Sequence, residues 1–550
     1  MKRCPECRRD YQDDTLVYCL DDGSRLLEGP NTGPGNRSEH PTAFFDPPTQ
    51  ILNRNTDDGV QRDARVGRGR WLLLGAVAAI LLAVFAALAF YMFRPRPAPV
   101  TDIKSVAVLP LDNLSNDASQ EFFADGMTEA LIGNLSQISS IKVISRTSIM
   151  RYKKSGKSIP EIAKELNVDG IIEGSVQRSD GRVRVTAQLV HAATDSPIWS
   201  KSFERSMTDV LQLQSEIAHA VVSEISAQIT PAERQRLERS SPVDPAATEA
   251  FLLGRHYFHK WTRESERQAV EQLQMAVSIQ PDYAEAWAAL ADAWQVRSMV
   301  GDVGVKEAEG PAREAALRAL ELDPNSSAAH VSMCFIHNNY DFNWVEGEAA
   351  CRRGIKFDPN NAKAHFAYAY LLARLERWEE MSAQMEQAMR LDPAEPWWPS
   401  VFGNFLIQAG RFDEAEKNIQ RSITIDPKYS PSYWALTDLY VETGRYDAAL
   451  DLYQSRGFSN SLTLSYIYTR KGDRPKALEL LNSSPKEDLY SLAKAYAALD
   501  DFDKAFEVIN RSFDRGEGFM FGYGNFRVLD KLKSDPRWKD VRRRMNLPNG

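Results

Sequence analysis

The 550-residue chain is poor in cysteine: it has five, three of them within the first nineteen positions. So few excludes a disulfide framework as the organising principle of the fold. Histidine is scarce too. The eight residues form no HExxH motif or other close cluster, so a catalytic metal has little support. No glycine-rich phosphate loop and no nucleophile motif occurs. Basic residues are not in excess: 67 Lys and Arg stand against 75 Asp and Glu, for a net charge of −8. A whole-chain basic footprint for nucleic acid is therefore absent. With 43% hydrophobic and 26% charged residues the chain is globular, and its length suggests about three or four domains.

One stretch lacks charge altogether. "WLLLGAVAAILLAVFAALAFYMF", Trp71 to Phe93, contains no ionisable acid or base. As a helix it is roughly 35 Å long, enough to cross a bilayer, and Trp71 and Tyr91 stand where interfacial aromatics belong. A signal peptide is shorter and nearer the start. The spacing thus predicts a single transmembrane helix over 71–93. Arg62, Arg65, Arg68 and Arg70 precede it, and Arg94, Arg96 and Lys104 follow. This narrow bias favours a cytoplasmic N-terminus, with residues 101–550 in the periplasm.

What cysteine there is lies mostly in a head, residues 1–27. Cys4 and Cys7 form a CxxC knuckle, and Cys19 follows at zinc-ribbon spacing. The place of a fourth thiol is taken by Asp22, and a carboxylate can complete a zinc shell. The expected site is a structural zinc held by Cys4, Cys7, Cys19 and Asp22. The alternative is a degenerate ribbon without metal. Residues 28–70, rich in Pro, Gly, Asn and Asp, read as a disordered linker.

Residues 101–232 read as α/β. "SVAVLPL" and "IKVISR" are strand-like, "SQEFFADGMTEALIGNLSQI" has helical spacing, and Ser179-Asp180-Gly181 joins two strands as a hairpin. Val183, Val185, Ala187 and Leu189 alternate with polar residues, which gives one buried face. Asp125 and Glu129, at i and i+4, are a carboxylate pair of the kind used in acid–base chemistry, although such pairs are more often helix-start charges. Glu173 lies nearby in the sequence of strands.

From residue 246 the chain is helical and periodic. Prolines 281, 324, 359, 393 and 427 stand 43, 35, 34 and 34 residues apart, the period of a tetratricopeptide-repeat solenoid. The long first spacing fits an insertion around "VRSMVGDVGVKEAEG". Repeats are expected over 246–514, followed by a C-terminal helical cap over 515–550. The inner surface of such a solenoid, lined by the first helix of each repeat, binds peptides. In that register Tyr340, Phe366, Tyr370, Asn404, Gln408, Trp434 and Asp438 face the groove, unless they pack between repeats instead. Cys334 and Cys351 fall on the two helices of one repeat, placed as small core residues or as a disulfide in an oxidising compartment.

"SVAVLPLDNLSNDASQEFFADGMTEALIGNLSQI", "KVISRTS" and "GIIEGSVQRSDGRVRVTAQLVHAATDSPIWSKSFER" together resemble the TolB amino-terminal-like (FlgO-related) domain of bacterial signalling proteins. "DFNWVEGEAACRRGIKFDPNNAKAHFAYAYLLA" looks like a repeat that commonly follows it, and "LDKLKSDPRWKDVRRRMNLP" like the usual ending. The resemblance implies a bacterial inner-membrane protein in a signalling or envelope context, in which the small head replaces an output domain. The expected function is a non-enzymatic single-pass membrane scaffold that binds protein partners. The alternative is a transmembrane receptor whose α/β domain senses a small ligand.

Overall fold

The computed structural model describes residues 103–115, 117–225, 228–238, 242–517 and 527–547, together with three short strands in the first 28 residues. The chain divides into two compact units, 1–96 and 97–550. In the first, β1 (Lys2–Arg3) pairs antiparallel with both β2 (Asp10–Tyr11) and β3 (Leu27–Glu28). Cys4, Cys7, Cys19 and Asp22, the linker and the expected span Trp71–Phe93 lie outside the described residues. Among the described residues no helix is long and apolar enough to cross a membrane.

The second unit opens with a six-stranded sheet in the order β6-β4-β7-β8-β9, with β5 also paired to β7. The strands are β4 (Ser105–Val108), β5 (Asp112–Asn113), β6 (Lys142–Val143), β7 (Gly170–Ser179), β8 (Arg182–His191) and β9 (Ser196–Ser206). Its helices are α1 (Glu121–Ser136), α2 (Arg146–Met150), α3 (Ile159–Leu166), α4 (Val210–Glu224) and α5 (Pro231–Glu238). β4 runs parallel to β6 and β7, and β7–β8–β9 is an antiparallel meander. Asp180 and Gly181 take φ of 50° and 73°, the left-handed pair that closes a two-residue hairpin with the twist of its strands. The alternation in β8 holds: Val183, Val185, Ala187 and Leu189 are fully buried, and Arg184 is exposed.

The expected strand "IKVISR" is cut short. Ile144 N–H still reaches Val106 O at 3.1 Å, but Ser145 N–H bonds Leu391 O of the solenoid at 2.8 Å, and the chain then turns into α2. A competing backbone acceptor from another part of the fold ends the ladder.

Eight antiparallel helix pairs follow, from α6 to α21. They are α6 (Pro245–Phe258), α7 (Arg263–Ile279), α8 (Ala284–Met299), α9 (Val305–Leu322), α10 (Ser327–Ile336), α11 (Trp344–Phe357), α12 (Ala362–Arg374), α13 (Trp378–Leu391), α14 (Trp397–Gln408), α15 (Phe412–Ile425), α16 (Ser430–Glu442), α17 (Tyr446–Ser455), α18 (Ser461–Lys471), α19 (Arg474–Ser483), α20 (Leu489–Ala498) and α21 (Phe502–Asp514). The cap is α22 (Arg527–Lys533) and α23 (Trp538–Arg544). Each of the five prolines follows the end of a second helix, where its missing N–H and fixed φ stop propagation. The long first spacing is absorbed by α8 and α9, of 16 and 18 residues, rather than by a loop. Small residues allow close pairing: a Cβ on Gly403 would lie 2.4 Å from Ile419 Cγ1. Cys334 and Cys351 form a fully buried disulfide between α10 and α11, with Cα atoms 5.1 Å apart.

The α/β domain is seated on the solenoid. Leu252 of α6 belongs to the core of that domain, and Gly126 of α1 makes room for it: a Cβ there would meet Leu252 Cδ2 at 2.5 Å. Residues 136–151 then run along the turns that join successive repeats. Asn360, buried in the turn before α12, donates to the carbonyls of Ser136, Ile138 and Ile141 at 2.9, 3.2 and 3.0 Å. Its Oδ1 accepts from Val143 N–H at 3.1 Å. In the next turn Asp392 accepts from Ser148 Oγ at 2.6 Å, and Arg151 donates to Ile425 O in the turn after that at 3.0 Å. On the opposite edge of the repeats the C-terminal cap folds back. Trp344 Nε1 donates to the carbonyls of Met545 and Asn546 at 3.0 and 2.8 Å.

Candidate functional site

The inner stripe of the solenoid is built by the first helices of the pairs, α6, α8, α10, α12, α14, α16, α18 and α20. Phe366 of α12 is its aromatic centre. Its ring lies 4.5 Å from Trp397, 5.3 Å from Trp398, 6.0 Å from Tyr370 and 6.1 Å from Phe335. Phe366 and Tyr370 are buried. The Tyr370 hydroxyl donates to Asn339 Oδ1 at 3.0 Å, and the Arg374 guanidinium lies 4.5 Å over its ring. These two candidates therefore join neighbouring repeats to one another. Asn404 and Gln408 are half-buried on α14.

Farther along, Trp434 of α16 is 52% exposed and lies 5.9 Å from Phe458. Asp438, one turn on, is engaged by Lys494 Nζ at 2.9 Å from α20. Burial pushes the Lys494 ammonium below its usual range, against the opposing pull of Asp438. Tyr340 sits apart from the others. It lies in a five-residue π-helical turn, His337–Asp341, and lines a cavity of about 190 Å³ with Lys306, Phe342 and Phe513 on the edge that receives the cap. Burial raises its hydroxyl to about 12.

The sequence reading missed Phe335, Lys363 and Trp397. Lys363 Nζ pairs with Asp292 of α8 at 2.7 Å. Trp397 stands 34 residues after Lys363, at the same repeat position, and that offset is the signal that finds it. Beneath this part of the stripe Glu266 is fully buried with no hydrogen-bond partner for either carboxyl oxygen. Burial, reinforced by the nearby Asp292, raises it to about 8, so it is protonated at neutral pH.

The carboxylates of α1 do not act as a pair. Asp125 bonds Lys153. Glu129 accepts from Arg255 Nε at 2.9 Å and contacts His259 Nε2 at 3.1 Å and Arg146 Nε at 3.3 Å. Burial alone would raise Glu129, but Arg255, His259 and Arg146 outweigh it and hold the group well below the usual carboxylate range. Burial leaves the His259 imidazole near 4 and hence neutral at pH 7, so its ring N–H donates to Glu129. Glu129 is thus a permanently ionised tether between α1 and α6. Glu173 stays half-buried on β7, raised by burial and by the charges of Asp195 and Asp112. Among the described residues no group of three or more His, Cys, Asp and Glu side chains is placed to hold a metal.

Comparison with known proteins places these elements. Residues 406–456 match the family model of the tetratricopeptide repeat, and the helix pairs are tetratricopeptide repeats. Residues 102–220 match the family model of the second domain of HilA/YgeH-like transcriptional regulators. The chain is 34% identical over 187 residues to putative adenylate cyclase 3 of Rhizobium meliloti, covering 34% of this chain and 32% of that one. It is 22% identical over 235 residues to the transcriptional regulator HilA of Salmonella typhimurium, covering 42% and 41%. The chain thus spans about a third to two fifths of the curated relatives it matches. Among solved structures, yeast Tom70 aligns with a TM-score of 0.36 at 14% identity, over 61% of this chain and 83% of that one.

Proposed function

We propose that this chain is a non-enzymatic, single-pass membrane scaffold of the bacterial inner membrane. Its tetratricopeptide repeats, with the TolB-like domain clamped to their turns, bind a protein partner in the periplasm. The observation that carries the reading is the inner stripe, where Trp434 presents an accessible indole beside Phe458 while the neighbouring Asp438 is already neutralised. An exposed aromatic on a rigid concave surface is the kind of anchor that dominates interface energetics.

The disulfide Cys334–Cys351 supports an oxidising compartment for the repeats, in agreement with the arginine bias around Trp71–Phe93. The head is assigned a structural zinc on Cys4, Cys7, Cys19 and Asp22. A signalling context draws on the relatives, which are named as an adenylate cyclase and a transcriptional regulator.

The test is crosslinking and pull-down of the full chain from membranes. Trp434→Ala is expected to weaken partner capture by roughly 2 kcal/mol or more without lowering the melting temperature, because the side chain is half exposed. Capture unchanged by the substitution refutes the groove. In spheroplasts, added protease should digest the repeats and spare the head; the reverse pattern refutes the topology.

A further inference from the structure

The sheet of the α/β domain has two edges, and the repeats cover one of them. Beyond β6, Val143 N–H bonds Asn360 Oδ1 and Ser145 N–H bonds Leu391 O. β9 is the other edge, and among the described residues no strand pairs with its outer side. It is 11 residues long, and a long open edge is a template for a further strand.

The direction of its free backbone groups follows from the pairing. Met207 N–H, just past β9, donates to Gly181 O. With the register Val183 to Arg205, Val185 to Phe203, Ala187 to Lys201 and Leu189 to Trp199, the odd-numbered residues turn their N–H and C=O toward β8. Ser200, Ser202 and Glu204 turn theirs outward, because successive residues alternate. Among the described residues one of these outward backbone groups has a partner: Glu204 O accepts from Arg205 Nη1 at 2.8 Å. A carbonyl oxygen has a second lone pair to offer. The way in is open. Lys201 stands on the helix-covered face and is exposed, so α4 does not overhang the middle of the edge.

We propose that β9 pairs antiparallel with β9 of a second copy of this chain, centred on Ser202, and joins two α/β domains into one continuous sheet. The strand is self-complementary in that register. Ser202 lies opposite Ser202, Ser200 opposite Glu204, Trp199 opposite Arg205 and Lys201 opposite Phe203. The three pairs of outward residues exchange about six backbone hydrogen bonds. The two remaining kinds of pair set a cation against an aromatic ring, which is attractive. Lys201 Nζ already lies 5.0 Å over the ring of its own Phe203, and Arg205 is held in place by Glu216 Oε1 at 2.8 Å.

Other registers are worse. Centring on Lys201 or on Glu204 opposes like charges directly, and centring on Phe203 sets Lys201 against Arg205. Centring on Ser200 carries the ladder across the bulge at Ile198, where Leu189 and Val190 pair with Trp199 and Pro197. A lysine within an edge strand ordinarily discourages pairing, but in the Ser202 register its ammonium meets a ring and not a charge.

The test uses the solubilised full-length chain. Opposed Cβ atoms across an antiparallel pair are about 5 Å apart, so a short thiol-to-thiol reagent should join Ser202→Cys to its copy, read as a linked peptide by mass spectrometry. Ser200→Cys is displaced from its copy by about 13 Å along the strand and should not be joined. Ser202→Pro removes an N–H that points away from β8, so the fold should keep its melting temperature. The sedimenting mass should then fall from twice 62.0 kDa to 62.0 kDa. Absence of the linked Ser202→Cys peptide, or equal linking at Ser200→Cys, overturns the proposal. A folded Ser202→Pro chain that keeps the doubled mass overturns it too. If Ser202→Pro does not fold, the two cysteine variants decide the matter alone. A strand of another protein on this edge would give no link between copies, and that outcome also counts against the proposal.

Discussion

Replacing Asn360 with alanine tests how the α/β domain is held to the repeats. The two N–H groups of its amide are shared among the carbonyls of Ser136, Ile138 and Ile141, and its Oδ1 accepts from Val143 N–H. All four partners are backbone groups that run across the seam and lack other means of satisfaction once Asn360 is gone. A typical net hydrogen bond contributes about 1 kcal/mol, and an orphaned buried N–H costs about 1–3 kcal/mol. A single water entering the vacated space recovers part of this. The expected loss is about 3 kcal/mol, read by chemical denaturation of the full chain, with exchange of the Val143 amide accelerating in step. An internal control is available. Asn325 occupies the same place in the Asp-Pro-Asn turn one repeat earlier, at 35 residues' separation. Among the described residues its side chain makes no hydrogen bond to the α/β domain, so Asn325→Ala should change stability by less than about 0.5 kcal/mol. If the two substitutions have equal effects, the turn chemistry and not the seam is responsible, and the reasoning is wrong.

Gly126→Ala should destabilise by about 1–2 kcal/mol, although alanine is the better helix former, because its Cβ strikes Leu252; in a Leu252→Ala background the same substitution should turn neutral or stabilising, and an unchanged penalty there would refute the steric account. Glu266→Gln should stabilise the protein by about 2–3 kcal/mol at pH 7 and by nearly nothing at pH 4. A buried acid raised from 4.5 to about 8 loses folded-state stability as pH climbs between those values, and equal effects at both pH values would contradict this. Removing the disulfide with Cys334→Ala and Cys351→Ala, at a sequence separation of 17, should cost about 3 kcal/mol. Five reactive thiols, rather than the three of Cys4, Cys7 and Cys19, in the unreduced, denatured native chain would show that the bond is absent.

The solenoid was legible in the sequence because its determinants are local and periodic. The proline spacing marks where second helices end, and Gly403 and Ala415 mark where paired helices approach. The β7–β8 hairpin was legible for the same reason, through alternation and the Asp180-Gly181 turn. The groove was only half legible. Phe366 and Trp434 stand two repeats apart at the same position, yet one is buried and the other exposed. The difference lies in the neighbour: Trp397 and Trp398 cover Phe366, whereas α18, the first helix of the pair after that of Trp434, opens with Ser461, Leu462 and Thr463.

Other features were decided only by tertiary structure. Asn360 and Asn325 lie in the same tripeptide, and nothing in the sequence distinguishes the one that pins a domain from the one that does not. Glu129 reads as half of a carboxylate pair until α6 brings Arg255 and His259 to it. The strand after Ile141 has ordinary strand residues, but Leu391 O, some 250 positions away, takes the next donor. By itself, the sequence determined the elements and their repeat, because helix stops, turn glycines and hydrophobic period act over a few residues. Which polar groups those elements satisfy in one another, and which aromatic remains uncovered, was set by contacts between residues that share no local pattern. Their energies exist only once burial has removed water as the alternative partner.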